Sequence, residues 1–476
     1  MKYQHLLSLA LASSLLAPLV HAVDLIAIGS ISGAYEDLSS ATASPLENGV
    51  PGNRFGGIGS GLTYAGGTTF LALPDRGPNA NPYNSAVDDT VSYICRFQTL
   101  NFSLAPYTDP ITALPFTLTP MLTATTLLSS KSPLVYGSGN GLGNRIDGTT
   151  PIGSGAPALN ATDHTNYFTG RSDNFDSGKF STDPKNARLD PEGIRVSNDG
   201  KSVFISDEYG PYVYEFDRAT GRRIKAFKLP DNLAITNLSP QKDVEIAGNT
   251  VGRVTNKGME GLALTPDGKT LVGIMQANLE QDKKKSLRIV TINLRNGATH
   301  EYAYLLTDGS GVSEILAVNN HQFLVDERDG SGLGDTPLLT DTASAAAVKK
   351  LYLIDLDGAT DVTGITGPNA DLSSYAVSKT PFLDIVAKLN DAGIDSYLIP
   401  SKIEGIAFGQ DVDVEGVAMH TLYVVNDNDF LSTVADPFKL PSDGTRGEII
   451  NPNQIYVFAF TDDELPGYVP QPFRNK

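Results

Sequence analysis

Four glutamates head four short apolar runs. The runs read Asp190-Pro191-Glu192-Gly193-Ile194, Met259-Glu260-Gly261-Leu262-Ala263, Val312-Ser313-Glu314-Ile315-Leu316 and Ile403-Glu404-Gly405-Ile406-Ala407. A second phrase lies downstream of each: Ile205-Ser206-Asp207-Glu208-Tyr209, Gly273-Ile274-Met275-Gln276-Ala277, Leu324-Val325-Asp326-Glu327-Arg328 and Val424-Val425-Asn426-Asp427-Asn428. A carboxylate at the head of a buried strand is costly unless it is paired or bound to a cation. Several at equivalent places repel one another, and a hard cation held by many oxygens relieves the repulsion. The expected cation ligands are Glu192, Glu260, Glu314 and Glu404, with Asp75, Asp207, Asp326 and Asp427 from neighbouring strand ends, and calcium is the expected ion. Hydrogen bonding of the same acids to adjacent strands and turns is the competing explanation for each.

Bases stand beside these acids. Arg76, Arg188, Lys257, Arg328 and Lys402 each lie within four residues of a repeated acidic position. Arginine offers a fork and lysine a point charge to a phosphate or carboxylate. Glu192, Glu260 and Glu404 with Arg76, Arg188, Lys257 and Lys402 are thus the candidate catalytic residues for a small anionic substrate. Salt bridging to the same acids is the bland alternative for every base. Asp411-Val412-Asp413-Val414-Glu415 and Asp173-Asn174-Phe175-Asp176 have the composition of peripheral calcium loops, although solvated loops have it too. There is no Gly-x-Ser-x-Gly elbow, His-Glu-x-x-His helix, P-loop or dinucleotide fingerprint. After residue 22 the histidines are His164, His300, His321 and His420, none near a repeated acidic phrase. Metal-assisted chemistry is therefore favoured over histidine-driven nucleophilic catalysis.

The elements that position these residues read as strands. Lys201–Ser206, Tyr212–Phe216, Thr270–Met275, Leu287–Ile292, Lys350–Asp355, Thr421–Val425 and Gln454–Phe460 are β-branched and aromatic runs bounded by turn residues. Asn198-Asp199-Gly200, Pro266-Asp267-Gly268 and Ala219-Thr220-Gly221 read as hairpin turns. Asp384–Ala392 is the one credible short helix. A strand headed by Glu, a turn and a strand ending in Asp, Asn or Gln recur along the chain, as in a propeller. An earlier, degenerate unit runs from Phe55 to Gly77, with Ser60 where the glutamate would fall. The spacing of the units is irregular, with an insertion near 237–254. The expected fold is all-β: a single β-propeller of six or seven blades, with a long surface excursion near 136–186.

Bulk properties bound the function. Residues 1–22 carry Lys2, an apolar run and Val20-His21-Ala22, and read as a signal peptide cleaved after about Ala22. The mature chain, 23–476, is then one exported domain, secreted or periplasmic. Loss of Lys2 takes the net charge from −18 to −19, which disfavours nucleic acid and anionic membranes. Cys95 is the only cysteine, so no intrachain disulfide forms. The chain is expected to act as a monomer without membrane insertion.

The phrases Asp190–Ile194 through Asp207–Gly210, Asn256–Ala263, Val325–Gly330, Lys402–Ala407 and Asn426–Phe430 resemble the hallmark of the phytase-like family, "esterase-like activity of phytase". Gly61-Leu62, Pro74–Gly77 and Arg96-Phe97 resemble its opening, and the likeness extends from about residue 50 to 460. The resemblance implies an exported propeller and, from the family's name, hydrolysis of phosphomonoesters or phosphodiesters. Ser60 and Gln276 depart from the acidic pattern and lower the charge of any metal site on their side. A calcium-dependent lactonase or esterase, or a non-catalytic propeller binding a ligand or partner, are the alternative functions.

Overall fold

The computed structural model describes residues 23–80, 82–107, 114–161, 164–335, 338–340, 342–439 and 444–473. Its strands form five four-stranded antiparallel blades. Blade 1 is Gly61–Tyr64, Thr69–Leu73, Arg96–Pro106 and Phe116–Leu127; blade 2 is Pro191–Val196, Ser202–Asp207, Tyr212–Asp217 and Arg223–Phe227. Blade 3 is Met259–Leu264, Thr270–Met275, Ser286–Asn293 and Thr299–Leu305; blade 4 is Gly311–Ala317, Gln322–Arg328, Lys349–Asp355 and Lys379–Asp384. Blade 5 takes Lys402–Phe408, Val417–Asp427 and Asn453–Phe460 from the end of the chain and Asp24–Ile31 from its beginning. The first strand of each blade borders its counterparts in the two neighbouring blades, which closes a ring.

The fold is thus the expected propeller, but with five blades, not six or seven. The long spacings do not conceal further blades. Between blades 1 and 2, the 136–186 excursion contributes only the short strand Asn166–Tyr167, paired with Ser129–Ser130. It folds back on the ring: Gly170 N donates to Tyr93 O, and Tyr209 Oη donates to Gly170 O. The 237–254 insertion holds a helix, Lys242–Gly248, and the expected helix near 384–392 spans Ile385–Asp391 with Asp384 as its N-cap. The hairpin glycines Gly200, Gly221 and Gly268 all have positive φ, as those turns require.

Each interface between neighbouring blades holds its own apolar core. Leu73, Phe97, Ile194 and Ile205 fill the wedge between blades 1 and 2, and Phe70, Phe102, Tyr423 and Val457 that between blades 5 and 1. Full burial of such side chains contributes about 1.5–3 kcal/mol apiece, so five wedges stabilise the ring without a disulfide. Cys95 lies inside one wedge, and burial raises its pKa well above normal, so the thiol is inert there.

The axis is blocked midway. Arg195 of blade 2 donates to Leu62 O of blade 1 (2.8 Å) and Ile315 O of blade 4 (2.9 Å), and lies 3.0 Å from Glu314 Oε2. Glu314 in turn accepts from Leu262 N of blade 3 (2.9 Å). Below this pair the C-terminal segment crosses the far mouth, where Val469 N donates to Val318 O and Gln471 Nε2 to Val196 O. The near mouth, at the heads of the first strands, is open.

Candidate functional site: an acidic cavity at the mouth of the propeller

A local irregularity aims the glutamates. In blade 3, Met259 pairs with Met275 and Gly261 with Ile274, so Glu260 is the extra, bulged residue. In blade 5, Ile403 pairs with Asn426 and Gly405 with Val425, and Glu404 is the bulge. Blade 2 shifts register between Pro191 and Ile194, around Glu192. A bulge re-aims its side chain out of the ladder, here into the channel. The following glycines permit close approach of the next inner strand: a Cβ on Gly193 would meet Leu262 N at 2.7 Å, and one on Gly261 would meet Ile315 N at 2.6 Å.

Blade 4 breaks the pattern. Val312 pairs with Glu327 and Glu314 with Asp326, so Ser313 is the bulge. Glu314 takes the place that glycine holds elsewhere, and its carboxylate joins Arg195 at the axial block. It does not line the cavity. The same slip moves its partner strand: Asp326 stands where blades 3 and 5 have Ile274 and Val425. Two residues beyond each of these partner positions stand Asp75, Glu208, Gln276, Arg328 and Asp427, one per blade. Glu208, not Asp207, is the blade 2 member. Asp207 instead accepts from the backbone N–H groups of Asp190, Tyr209 and Gly210, and fixes the turn.

The cavity at this mouth has a volume of about 270 Å³. Seven carboxylates line it: Asp75, Asp190, Glu192, Glu208, Glu260, Glu404 and Asp429. Five bases face them: Arg76, Lys242, Lys257, Arg328 and Lys402. Most of the bases are committed. Arg76 Nη1 binds Asp190 (3.0 Å) and Asn256, and Arg328 binds Glu404 (2.5 Å) and Ser313 Oγ (2.6 Å). Lys402 binds Asp427 and Asp429 (2.9 Å). Lys242 and Lys257 are exposed at the rim and make no ion pair with a described residue. Arg188 lies outside the cavity: it is 2% exposed, pairs with Glu245 at 3.4 Å and stacks on Phe175 and Tyr209. The composition that suggested calcium loops has other uses as well, since Asp173 binds Arg171 and Asp411 binds His420.

Two groups of acids converge closely enough to share an ion. Carboxylate oxygens of Asp190, Glu192 and Glu208 lie within 4.8 Å of one another, and so do those of Asp75, Asp427 and Asp429. Burial, then Glu260 and Asp190, push the Glu192 pKa well above its usual range. Burial and Glu208 do the same to Glu260, and burial with Asp427 to Asp75. Burial and Asp190 push Glu208 up to about 7. These groups hold protons at neutral pH or else require a cation. The residues fit a cation. Glu192 accepts no hydrogen bond from a described residue, and Glu260 Oε2 is buried with no partner. Glu260 Oε1 is held by Gln276 Nε2 at 2.7 Å, and Oε2 has no donor, while the carboxyl contact with Glu208 calls for a shared proton or a cation between the two. An all-oxygen set of this kind suits a hard cation such as calcium.

The phytase-like family, described as "esterase-like activity of phytase", matches over residues 53–430. The chain belongs to this family. The matched span takes in all of blades 1 to 4, the first two strands of blade 5 and every cavity residue named above. An uncharacterized secreted protein of Arthroderma benhamiae is 31% identical over 179 residues, which cover 30% of this chain and 35% of that protein. The chain thus spans about a third of that relative's length. Among solved structures, the periplasmic gluconolactonase of Pseudomonas aeruginosa is 12% identical, with 92% of this chain and 99% of that chain covered and a TM-score of 0.32. The Cps50 (Swd1) β-propeller domain of Myceliophteria thermophila is 11% identical, with 49% and 51% covered and a TM-score of 0.21. At these scores neither likeness bears on chemistry.

The repeated phrases thus carry Glu192, Glu260, Glu404, Asp75, Arg76, Lys257, Lys402 and Gln276 to or around one cavity, with Asp427 behind its wall. Sequence reasoning passed over Asp190, Glu208, Asp429, Asn256 and Lys242. Asp190 and Glu208 lie inside the quoted phrases, and strand register would have separated Glu208 from Asp207. Lys242 comes from the insertion helix and carries no repeat signal.

Proposed function

We propose that this phytase-like protein is an exported, calcium-dependent hydrolase of small phosphate esters, acting as a monomer. The observation that carries the reading is the Asp190–Glu192–Glu208 group, three buried acids converging beside an unpartnered Glu260 oxygen. In this reading Asp190, Glu192 and Glu208 hold the cation, with Glu260 beside them. When bound, the cation supplies polarisation of the phosphoryl group and a lowered pKa for an attacking water. Lys257 and Lys242 draw the anionic ester to the rim, and Arg76 and Arg328 offset charge on the phosphoryl oxygens. The water oxygen bonds to phosphorus as the bond to the leaving alcohol oxygen breaks. A carboxylate beside the cation takes the proton that the water sheds, and Glu260, which burial and Glu208 hold protonated, returns one to the alkoxide. Export is supported by the composition of residues 1–22 and by the relative named as secreted. Among the described residues no helix is long and apolar enough to cross a membrane.

The test is hydrolysis by metal-stripped protein across phosphomonoesters, phosphodiesters and lactones, with and without added calcium. Calcium-dependent phosphoester turnover is expected, and Glu192→Gln should lower kcat on the order of a hundredfold. Turnover of lactones alone, or of nothing, would sink the proposal.

A further inference from the structure

Blades 2 and 5 carry the same three positions at this mouth. The bulged glutamates Glu192 and Glu404 correspond. So do Glu208 and Asp427, each two residues past the strand partner of the glycine position. The third position lies two residues before the bulge, at the head of the inner strand. Blade 2 has Asp190 there, and blade 5 has Lys402. At this one equivalent place an acid in one blade is a base in the other.

The consequences differ accordingly. In blade 2 the three positions are all acids, and Arg76, the one base paired with the group among the described residues, binds Asp190 at 3.0 Å. Glu192 accepts no hydrogen bond from a described residue, and Glu260 Oε2 beside it is buried without a donor. In blade 5 Asp427 joins Asp75 and Asp429 in a group of the same spacing, but a cation already sits among them. Lys402 Nζ contacts Asp427, lies 2.9 Å from Asp429 Oδ1 and 4.0 Å from Glu404 Oε1. Lys402 pairs directly with Asp427 across the ladder, so backbone register holds it in place.

We propose that Lys402 is a resident cation: its ammonium fills the blade 5 group, and the cavity therefore takes one divalent cation, at blade 2, and not two. The inference rests on the cation reading of the cavity given above. It deepens that reading by fixing the count of ions. An ammonium donates hydrogen bonds but has no open coordination position, so it neutralises an oxygen without activating a water. The hydrolase is then a one-metal-plus-lysine device, in contrast to the paired-metal clamp of many phosphoryl-transfer enzymes.

The test is calcium stoichiometry by titration calorimetry on metal-stripped full-length mature protein. The readouts are the wild-type count and the change in count between variants, so turnover is not needed. Wild type is expected to bind one equivalent that Glu192→Gln removes. Lys402→Asp, which copies the blade 2 residue, should add one further equivalent that Glu192→Gln leaves intact. Lys402→Gln serves if the Asp variant does not fold, and should also gain an equivalent, more weakly. Asp429→Asn in the wild-type background should leave the single equivalent within about threefold in affinity, because Lys402 and not calcium is its partner. Folded Lys402 variants with an unchanged count would overturn the inference, as would two equivalents in wild type or loss of binding in Asp429→Asn. Wild type binding none would defeat the cation reading of the cavity, whereas a gain of one in Lys402→Asp would still uphold the role of Lys402.

Discussion

Glu192 stands among acids in the cavity and accepts no hydrogen bond from a described residue, whereas Arg188, four residues earlier, is enclosed by aromatic rings and Glu245. Their substitutions should therefore fail differently. Arg188→Ala removes one of two arginines on a buried glutamate, Arg253 being the other at 2.8 Å. It should cost on the order of 3 kcal/mol in chemical denaturation, with the turnover of the remaining folded protein unchanged. Lys257→Ala should do the reverse: an unshifted melting curve and a KM raised roughly tenfold, the worth of one charged hydrogen bond. Equal melting for wild type and Arg188→Ala would contradict the buried network. A pH effect belongs to this scale too. Glu208, Asp207 and Glu314 are pushed up to about 7, each chiefly by burial, from ordinary carboxylate values. Between those ordinary values and about 7 the folded state binds more protons than the unfolded chain, so stability falls as pH rises through that window. In chelator, the melting temperature should drop from pH 5 to pH 8, and a rise would reverse the sign argued here. The residues legible in the sequence were those repeated in kind, Glu192, Glu260 and Glu404. Glu314 was misassigned because Ser313, not the glutamate, takes the bulge, and residue type alone does not reveal which of two neighbours leaves the ladder.

The bulge followed by glycine is the element on which the site depends, because the glycine lets inner strands touch while the glutamate turns inward. Gly261→Ala would drive a Cβ to 2.6 Å from Ile315 N and 2.8 Å from the Glu314 backbone. A cost of about 2 kcal/mol is expected from such overpacking, read as a lowered denaturation midpoint, together with weakened calcium binding as Glu260 shifts. A variant as stable as wild type would show that the strands can part at no cost. Strand positions and hairpin turns in blades 2 and 3 were legible because alternating apolar runs met Gly turns at regular spacing. Blade number was not, since the unit spacing mixes blades with insertions: the helix Lys242–Gly248 lengthens one interval, and Ile385–Asp391 with its flanking loops lengthens another. The run Asp24–Ile31 also gave no sign of its place, because its partner Asn453–Phe460 lies at the far end of the sequence.

At the scale of the whole molecule, charge and closure dominate. A chain of net charge −18 gathers seven carboxylates at one mouth, so calcium that binds only the folded state should raise the melting temperature. At a hundredfold excess over Kd the gain is about 2.7 kcal/mol, and it should be larger at pH 8 than at pH 5, where protons do part of the same work. Melting curves that coincide in calcium and in chelator would count against a bound ion. The ring is fastened where the strand Asp24–Ile31 completes blade 5, with Ser30 set against Gln454. This seam dictates an order of events in time. The strand Asp24–Ile31 emerges long before its partner Asn453–Phe460, and closing so long a loop costs about 5 kcal/mol of chain entropy. Fastening this seam is therefore expected to be the late, slow step of folding. The same sheet carries Lys402, Glu404 and Asp427. The proposed calcium ligands Asp190, Glu192 and Glu208 lie instead in blade 2, which the seam does not complete, so in refolding followed by stopped flow, ion uptake is expected to run ahead of the slowest phase.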